Sequence, residues 1–326
     1  MSSRFVRPLL FAFLIISLPN FAIAADPLPA ATSLVAAGDD YFFQGEYVGS
    51  SVPYGRIGLQ VIAEGAGNFR GVVRIGGLPG LGWNGEAGPE FVGPRSAMTA
   101  KLAGPDGRTI TLTVGSAVVR DASNRQLGVL RRVVRTSPSI GRRPPTGAVV
   151  LFDGSSTDEF DGANISEAGY LMHGAITKRA VRDFDLHLEF RTPFMPTARG
   201  QARGNSGVYI QQRYEVQILD SFGLAGAHNE CAGVYKTKSP DVNMCLPPLA
   251  WQTYDIEFRA ARFNAAGEKT ADARLTVVHN GFPVQSNFAL PNKTGAGKPE
   301  GPEPMPILLQ NHGNPVEYRN VWIVER

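Results

Sequence analysis

The segment that most constrains this chain runs from Gly204 to Ser221, GNSGVYIQQRYEVQILDS. It reads as two strands run nearly end to end, Gly207 to Gln211 and Arg213 to Leu219. In the second, Tyr214, Val216 and Ile218 alternate with Arg213, Glu215 and Gln217. Side chains alternate across a strand, so the apolar set is buried while a guanidinium, a carboxylate and an amide share the other face. Such a face suits hydroxyl-rich ligands such as sugars. An ordinary half-buried strand with a solvated polar face gives the same alternation.

The rest of the chain fits strands better than helices. Gly 37 and Pro 24 with 43% hydrophobic residues describe a turn-rich all-β protein, and 326 residues suit one large or two medium domains. Net charge is only +3. The pairs Arg131-Arg132 and Arg142-Arg143 are short and isolated, so no nucleic-acid footprint exists. Arg4 and Arg7 precede the apolar run Pro8 to Leu18, and Ala22-Ile23-Ala24 supplies an A-x-A signal. This predicts a signal peptide over 1–24, cut near Ala24, and a periplasmic or secreted protein without a stable membrane span. In an exported protein, Cys231 and Cys245 read as one disulfide, with two free buried thiols as the alternative. The pair lacks the companions of a structural zinc site.

Residues 25–40 read as a flexible lead-in and 41–136 as a small β domain. Its strand candidates are Arg56–Glu64, Asn68–Ile75, Ala97–Ala103, Thr109–Val114 and Leu127–Val134, with Gly65-Ala66-Gly67 and Pro105-Asp106-Gly107 as turns. The domain carries no legible catalytic motif. Gly76–Trp83 is glycine-rich but lacks the strand–GxGxxG–helix context of a nucleotide site, and it reads as an exposed loop. Residues 137–148 have linker composition, and from 149 the strands alternate more cleanly. Many short strands argue for a sandwich or jelly roll.

The segment NSGVY…YEVQILD, with LFDG at Leu151–Gly154, FDLHLEFR at Phe184–Arg191, CAGVY at Cys231–Tyr235, WQTYDIEF at Trp251–Phe258, VHNG at Val278–Gly281, LLQNHG at Leu308–Gly313 and YRNVWI at Tyr318–Ile323, resembles the 3-keto-disaccharide hydrolase family in the right order. The resemblance spans about 149–326. It implies a concanavalin A-like jelly roll whose concave sheet carries the site, and an exported enzyme acting on glycosides.

Several side chains could carry that chemistry. Glycosidases usually need two carboxylates across the bond, and Glu215, Glu189 and Asp220 are the candidates. Asp185, His187, Glu189 and Arg191 share one strand face; if that strand neighbours Arg213–Leu219, Glu189 and Arg191 join Glu215 and Gln217, and otherwise they form a structural ion pair. His312 suits proton transfer, and Gln310 alternates onto its face. Arg319 and Arg191 could stabilise an enolate. Asn205 could bind a hydroxyl, Arg213 faces the same way as Glu215, and Tyr235 could stack on a sugar ring. The catalytic expectation is therefore Glu215, His312 and Asp220, with substrate held by Glu189, Arg191, Asn205, Arg213, Gln217, Tyr235, Gln310 and Arg319. No cofactor is implied. Calcium or another divalent metal held by carboxylates and loop carbonyls is left open. The expected partner is a glycoside or glycan. A non-catalytic lectin-like module and a cell-envelope structural protein are the alternatives, and a protein partner of the N-terminal domain is unknown.

Overall fold

A computed structural model describes residues 29–326. The signal peptide expected over 1–24 and the start of the lead-in lie outside these residues. From residue 31 the lead-in is folded. Ala31 makes a two-way backbone pair with Phe194, and Leu34–Ala37 and Asp40–Phe43 form single helical turns. Among the described residues no helix is long and apolar enough to cross a membrane.

Eight antiparallel strands follow: Gly45–Ser51, Gly55–Gly65, Asn68–Ile75, Ala87–Ser96, Thr99–Ala103, Thr109–Thr113, Ser116–Arg120 and Gln126–Val133. They close into a barrel because Gly45–Ser51 pairs with both Gly55–Gly65 and Gln126–Val133. Alternation points Leu59, Val61, Phe69, Leu102, Ile110, Leu112 and Leu130 inward, where all are buried. Gly45–Ser51, Ala87–Ser96 and Ser116–Arg120 were not expected as strands. The first two are rich in residues with weak strand preference, and long-range pairing rather than local sequence makes them strands.

The second unit is the expected jelly-roll sandwich. One sheet orders Phe160–Asp161, Ile176–Thr177, Leu308–Leu309, Ser206–Ile210 and Tyr214–Ile218. The other orders Leu171–Met172, Glu317–Glu325, Phe184–Arg191, Gln252–Arg259, Ala273–His279 and Phe282–Leu290, with Val149–Phe152 beside Glu317–Glu325. Leu186, Leu188 and Phe190 from one sheet meet Val208, Val216 and Ile218 from the other in a single core.

The segment 137–148 is not a free tether. Ser137 and Ser139 hydroxyls lie 2.6 and 2.8 Å from Thr253 Oγ1, Ser139 donates to Asp255 (2.8 Å), and the Gly141 amide donates to Glu189 Oε1 (2.6 Å). It straps the outer face of the larger sheet. The Gly76–Trp83 loop is likewise engaged: Leu78 is buried, and the Pro79 carbonyl accepts from Arg135 at 2.7 Å. Each unit also inserts into the other's core. Ile62 and Val72 of the barrel join the jelly-roll core, while Phe194 and Leu249 of the jelly roll join the barrel core.

Candidate active site

Ser206–Ile210 and Tyr214–Ile218 are not end to end. They form an antiparallel hairpin turned at Gln211 and Gln212, both at φ 51°, with Gly207 opposite Gln217 and Tyr209 opposite Glu215. The pairing seats Tyr209 across from Glu215 on the polar face, and alternation within one strand could not reveal that neighbour. Val208, Val216 and Ile218 fill the core, so Glu215, Gln217 and Tyr209 point out of the sandwich.

Glu215 is 2% exposed and has no cationic partner in hydrogen-bond reach. Burial therefore penalises its anion and pushes its pKa up to about 7, against a smaller opposing pull from the Tyr209 hydroxyl, which donates to Oε2 at 2.7 Å. Tyr209 itself is held well above the usual phenol range by burial and by that carboxylate. With its nitrogen at the Glu215 end, the Gln217 amide donates to Oε1 at 3.2 Å. A carboxyl half-ionised near neutrality can both take and return a proton.

The surroundings of Glu215 are amides, aromatics and space. Gly207 leaves a gap: a Cβ there would lie 2.7 Å from Glu215 Oε1 and 3.2 Å from Gln310 Oε1. The buried Gln310 oxygen has no protein partner. The other end of Gln217 lies 2.9 Å from Gln201 Oε1, and Asn205 Nδ2 donates to the Gln201 carbonyl at 2.7 Å. The Tyr235 amide donates to the Glu215 carbonyl (3.1 Å), which places its half-buried ring beside Gly295, next to the carboxylate. Gln201 also lines a cleft of about 620 Å³ with Ala30, Met195, Ala202 and His312. His312 is exposed there. Glu215, Gln217, Gln310, Asn205 and Tyr235 are thus brought together, with His312 at the adjoining cleft. Tyr209 and Gln201 complete the group. Tyr209 reads as an apolar strand residue, and Gln201 sits in a loop with no pattern to single it out.

Other expected residues lie elsewhere. Asp220 is not catalytic in placement: it is buried in an ion pair with Arg203 at 2.7 Å. Arg213 is turned away from the cleft, donating to the carbonyls of Pro299 and Glu303 and to Gln211 Oε1. Glu189, Arg191 and Arg319 belong to the larger sheet, whose outer face is on the opposite side of the sandwich from Glu215. There Glu189 pairs with Arg319 (2.6 Å) and Arg191 with Glu317 (2.5 Å), and both guanidiniums pack on Trp251, with centroid distances of 4.1 Å for Arg319 and 5.0 Å for Arg191. Trp251 is therefore clamped rather than core. Burial would raise the pKa of Glu189, but hydrogen bonds from Asn320, Gly141 and Arg319, with the His187 ring 3.8 Å away, hold it down at about 2. His187 completes this network by bonding Asp255 at 2.7 Å and stacking on Trp322. These are structural ion pairs. Cys231 and Cys245 correct the disulfide expectation: both are free buried thiols, Cys231 lying 3.1 Å from Tyr254 Oη and Cys245 3.5 Å from the Leu219 carbonyl. Among the described residues, no cluster of three or more His, Cys, Asp or Glu side chains has metal-holding geometry.

Residues 147–324 match the family described as 3-keto-alpha-glucoside-1,2-lyase-like domain, which is more than half of the chain. A solved structure of a candidate glycosyl hydrolase from Parabacteroides distasonis is 29% identical over 56% of this chain and 85% of its own, with a TM-score of 0.50. A second candidate glycosyl hydrolase from the same organism is 15% identical over 55% of this chain and 94% of its own, at a TM-score of 0.39. No protein of curated function matches the sequence significantly. The chain belongs to the 3-keto-alpha-glucoside-1,2-lyase-like family, and with it to the enzymes of glycosyl hydrolase-like type.

Proposed function

We propose that this protein cleaves 3-keto-glycosides by removing the proton at C2 and expelling the aglycone from C1, and that it works outside the cytoplasm. The single observation that carries this reading is Glu215: one buried carboxyl, poised at about 7, facing an amide-lined surface with no second carboxylate among the expected candidates beside it. Paired-carboxylate hydrolysis needs a partner across the bond. Proton abstraction beside a ketone needs one base of suitable pKa and donors for the developing enolate.

The ketone at C3 acidifies the C2 hydrogen. Ionised Glu215 takes that proton, and the C2–H electron pair becomes the C1–C2 double bond as the C1–O bond breaks. The departing oxygen receives a proton, a role suited to His312 at the cleft. Addition of water across C1–C2 then completes a net hydrolysis. The Gln217 amide donates to the Ser206 carbonyl at 2.7 Å and to Glu215 Oε1 at 3.2 Å, and with the 2.7 Å bond from Tyr209 it keeps the carboxyl oriented toward C2.

The mature protein should release aglycone from a 3-keto-glucoside and not from the unoxidised parent. Deuterium at C2 should slow release or wash out into water. Release from both substrates would point to ordinary hydrolysis. Release from neither, with glycan binding retained, would make the chain a lectin-like module. Two variants refine the site. Gly207→Ala places a methyl 2.7 Å from Glu215 Oε1, and kcat should fall at least about tenfold while far-UV dichroism is unchanged. His312→Ala should also cut turnover about tenfold or more, most with poor leaving groups; an unchanged rate removes His312 from the scheme.

A further inference from the structure

The loop 193–204 carries Met195, Gln201 and Ala202 to the cleft, and several of its fixings lie in the barrel and the segment that leads into it. Phe194 is 2% exposed within the barrel's core cluster and meets Tyr41 edge-on at 5.5 Å. Its backbone pairs both ways with Ala31, at 3.0 and 2.8 Å. The tip of the barrel hairpin formed by Gly55–Gly65 and Asn68–Ile75 grips the rest of the loop. Arg199 Nη2 donates to the Glu64 carbonyl at 2.8 Å, while its Nη1 donates back to the carbonyls of Pro196 and Ala198 at 2.6 and 2.8 Å. Arg203 Nη1 donates to the Ala63 carbonyl at 3.3 Å. At Gly65, with φ +87°, a Cβ would come within 2.7 Å of the Thr197 methyl group, so the hairpin tip packs directly on the loop.

We propose that the barrel is a positioning element of the cleft, holding this loop so that Gln201 stays against Gln217 and Asn205, with Arg199 as the positioning residue at the seam. The proposal rests on the 3-keto-glycoside reading of the Glu215 site. Physically, a loop whose one helical piece is the single 3₁₀ turn Gly200–Ala202 has little local stability of its own. Bonds from Arg199 to three carbonyls, two in the loop and one in the barrel, remove its freedom at one point, and Phe194 removes it at another. Gln201 Nε2 then donates to the Asn229 carbonyl at 2.7 Å and its Oε1 accepts from Asn205 Nδ2 at 3.2 Å, which holds it beside Gln217 among the amides that face a sugar. The barrel, which lacks a catalytic motif, thereby has a role in substrate binding.

The test uses the full chain and its Arg199→Ala, Gln201→Ala and double variants. Arg199 is exposed, so its loss leaves the core intact. With a 3-keto-glucoside, Arg199→Ala should raise KM severalfold at nearly constant kcat. The double variant should resemble Gln201→Ala alone, since Arg199 acts through Gln201. Amide exchange at Ala202 and Arg203, whose amides close the turn on Arg199 and Gly200, should accelerate at least tenfold without a change in melting temperature. Phe194→Leu should move KM and exchange in the same directions from the barrel side. Additive effects of Arg199 and Gln201, or faster exchange with an unchanged KM, would overturn the proposal. If the wild-type chain releases no aglycone, the 3-keto-glycoside reading fails separately, and unchanged exchange in Arg199→Ala would still overturn the positioning role.

Discussion

Glu215→Gln is expected to lower turnover of a 3-keto-glycoside by at least about a hundredfold while making the folded protein more stable at alkaline pH. The two effects share one cause. Glutamine keeps the shape and one acceptor for the Tyr209 hydroxyl but cannot take a proton, so the catalytic step loses its base, typically worth about a hundredfold or more. The stability effect follows from the raised pKa. In the unfolded chain Glu215 titrates near its ordinary value of 4.5, and in the folded protein near 7. Below 4.5 both states are protonated and no penalty exists. Between 4.5 and 7 the unfolded state ionises first, so stability falls as pH rises, and the loss is complete above 7. A shift of this size corresponds to a penalty on the order of 3 kcal/mol. The substitution removes it, so the gain in unfolding free energy over wild type should be present at pH 8 and absent at pH 4, by urea denaturation at each pH. The rate should rise through the same pH window as the base ionises and turn down where the acid is lost. A variant that is inactive but no more stable at pH 8 would mean that Glu215 is not charged against its surroundings there.

Glu189→Ala should do the reverse, costing stability and leaving the chemistry alone. Glu189 is 1% exposed and accepts from the Arg319 guanidinium, the Asn320 amide and the Gly141 amide at 2.6, 2.9 and 2.6 Å. Its removal strands these donors, and breaking a buried pair typically costs about 3 to 5 kcal/mol. It also cuts one of the bonds that tie the 137–148 strap to the sheet. Because the folded pKa is held near 2, below the ordinary 4.5, the contribution is present above 4.5 and lost as pH falls through 2. The deficit of the variant should therefore be full at pH 7 and shrink in acid. Its kcat on a 3-keto-glycoside should stay within about twofold of wild type at a temperature where it is folded, because the network lies on the face opposite Glu215. A large loss of kcat in folded Glu189→Ala would return this residue to the catalytic scheme.

The contrast between these two glutamates shows where sequence stops. Both lie in strictly alternating strands, FDLHLEFR and RYEVQILD, and each local pattern correctly sets an apolar face against a polar one. Alternation is a property of one strand, so it gives the face relative to the strand's own neighbours and nothing about which sheet the strand enters. Strand order puts Phe184–Arg191 beside Gln252–Arg259 and Glu317–Glu325, not beside Tyr214–Ile218. The same limit hid the hairpin: the residues Gly207–Gln211 and Arg213–Leu219 were legible as strand, but the reversal at Gln211-Gln212, which seats Tyr209 opposite Glu215, required the pairing. Asp220 and Arg213 were read by position and were claimed instead by Arg203 and by the carbonyls of the 299–303 loop, partners remote in the chain.

By itself the sequence determined the all-β class, the jelly roll over the C-terminal half through its ordered motifs, and the polar face bearing Glu215 and Gln217, because side-chain period and turn residues act over a few positions. Only the tertiary structure decided that the first strands close into a barrel and that Glu215 is buried without a cation while Glu189 is buried with one. It alone showed that a barrel hairpin holds the loop bearing Gln201. Each of these depends on long-range packing, which fixes solvation and charge partners and leaves no mark on a local pattern.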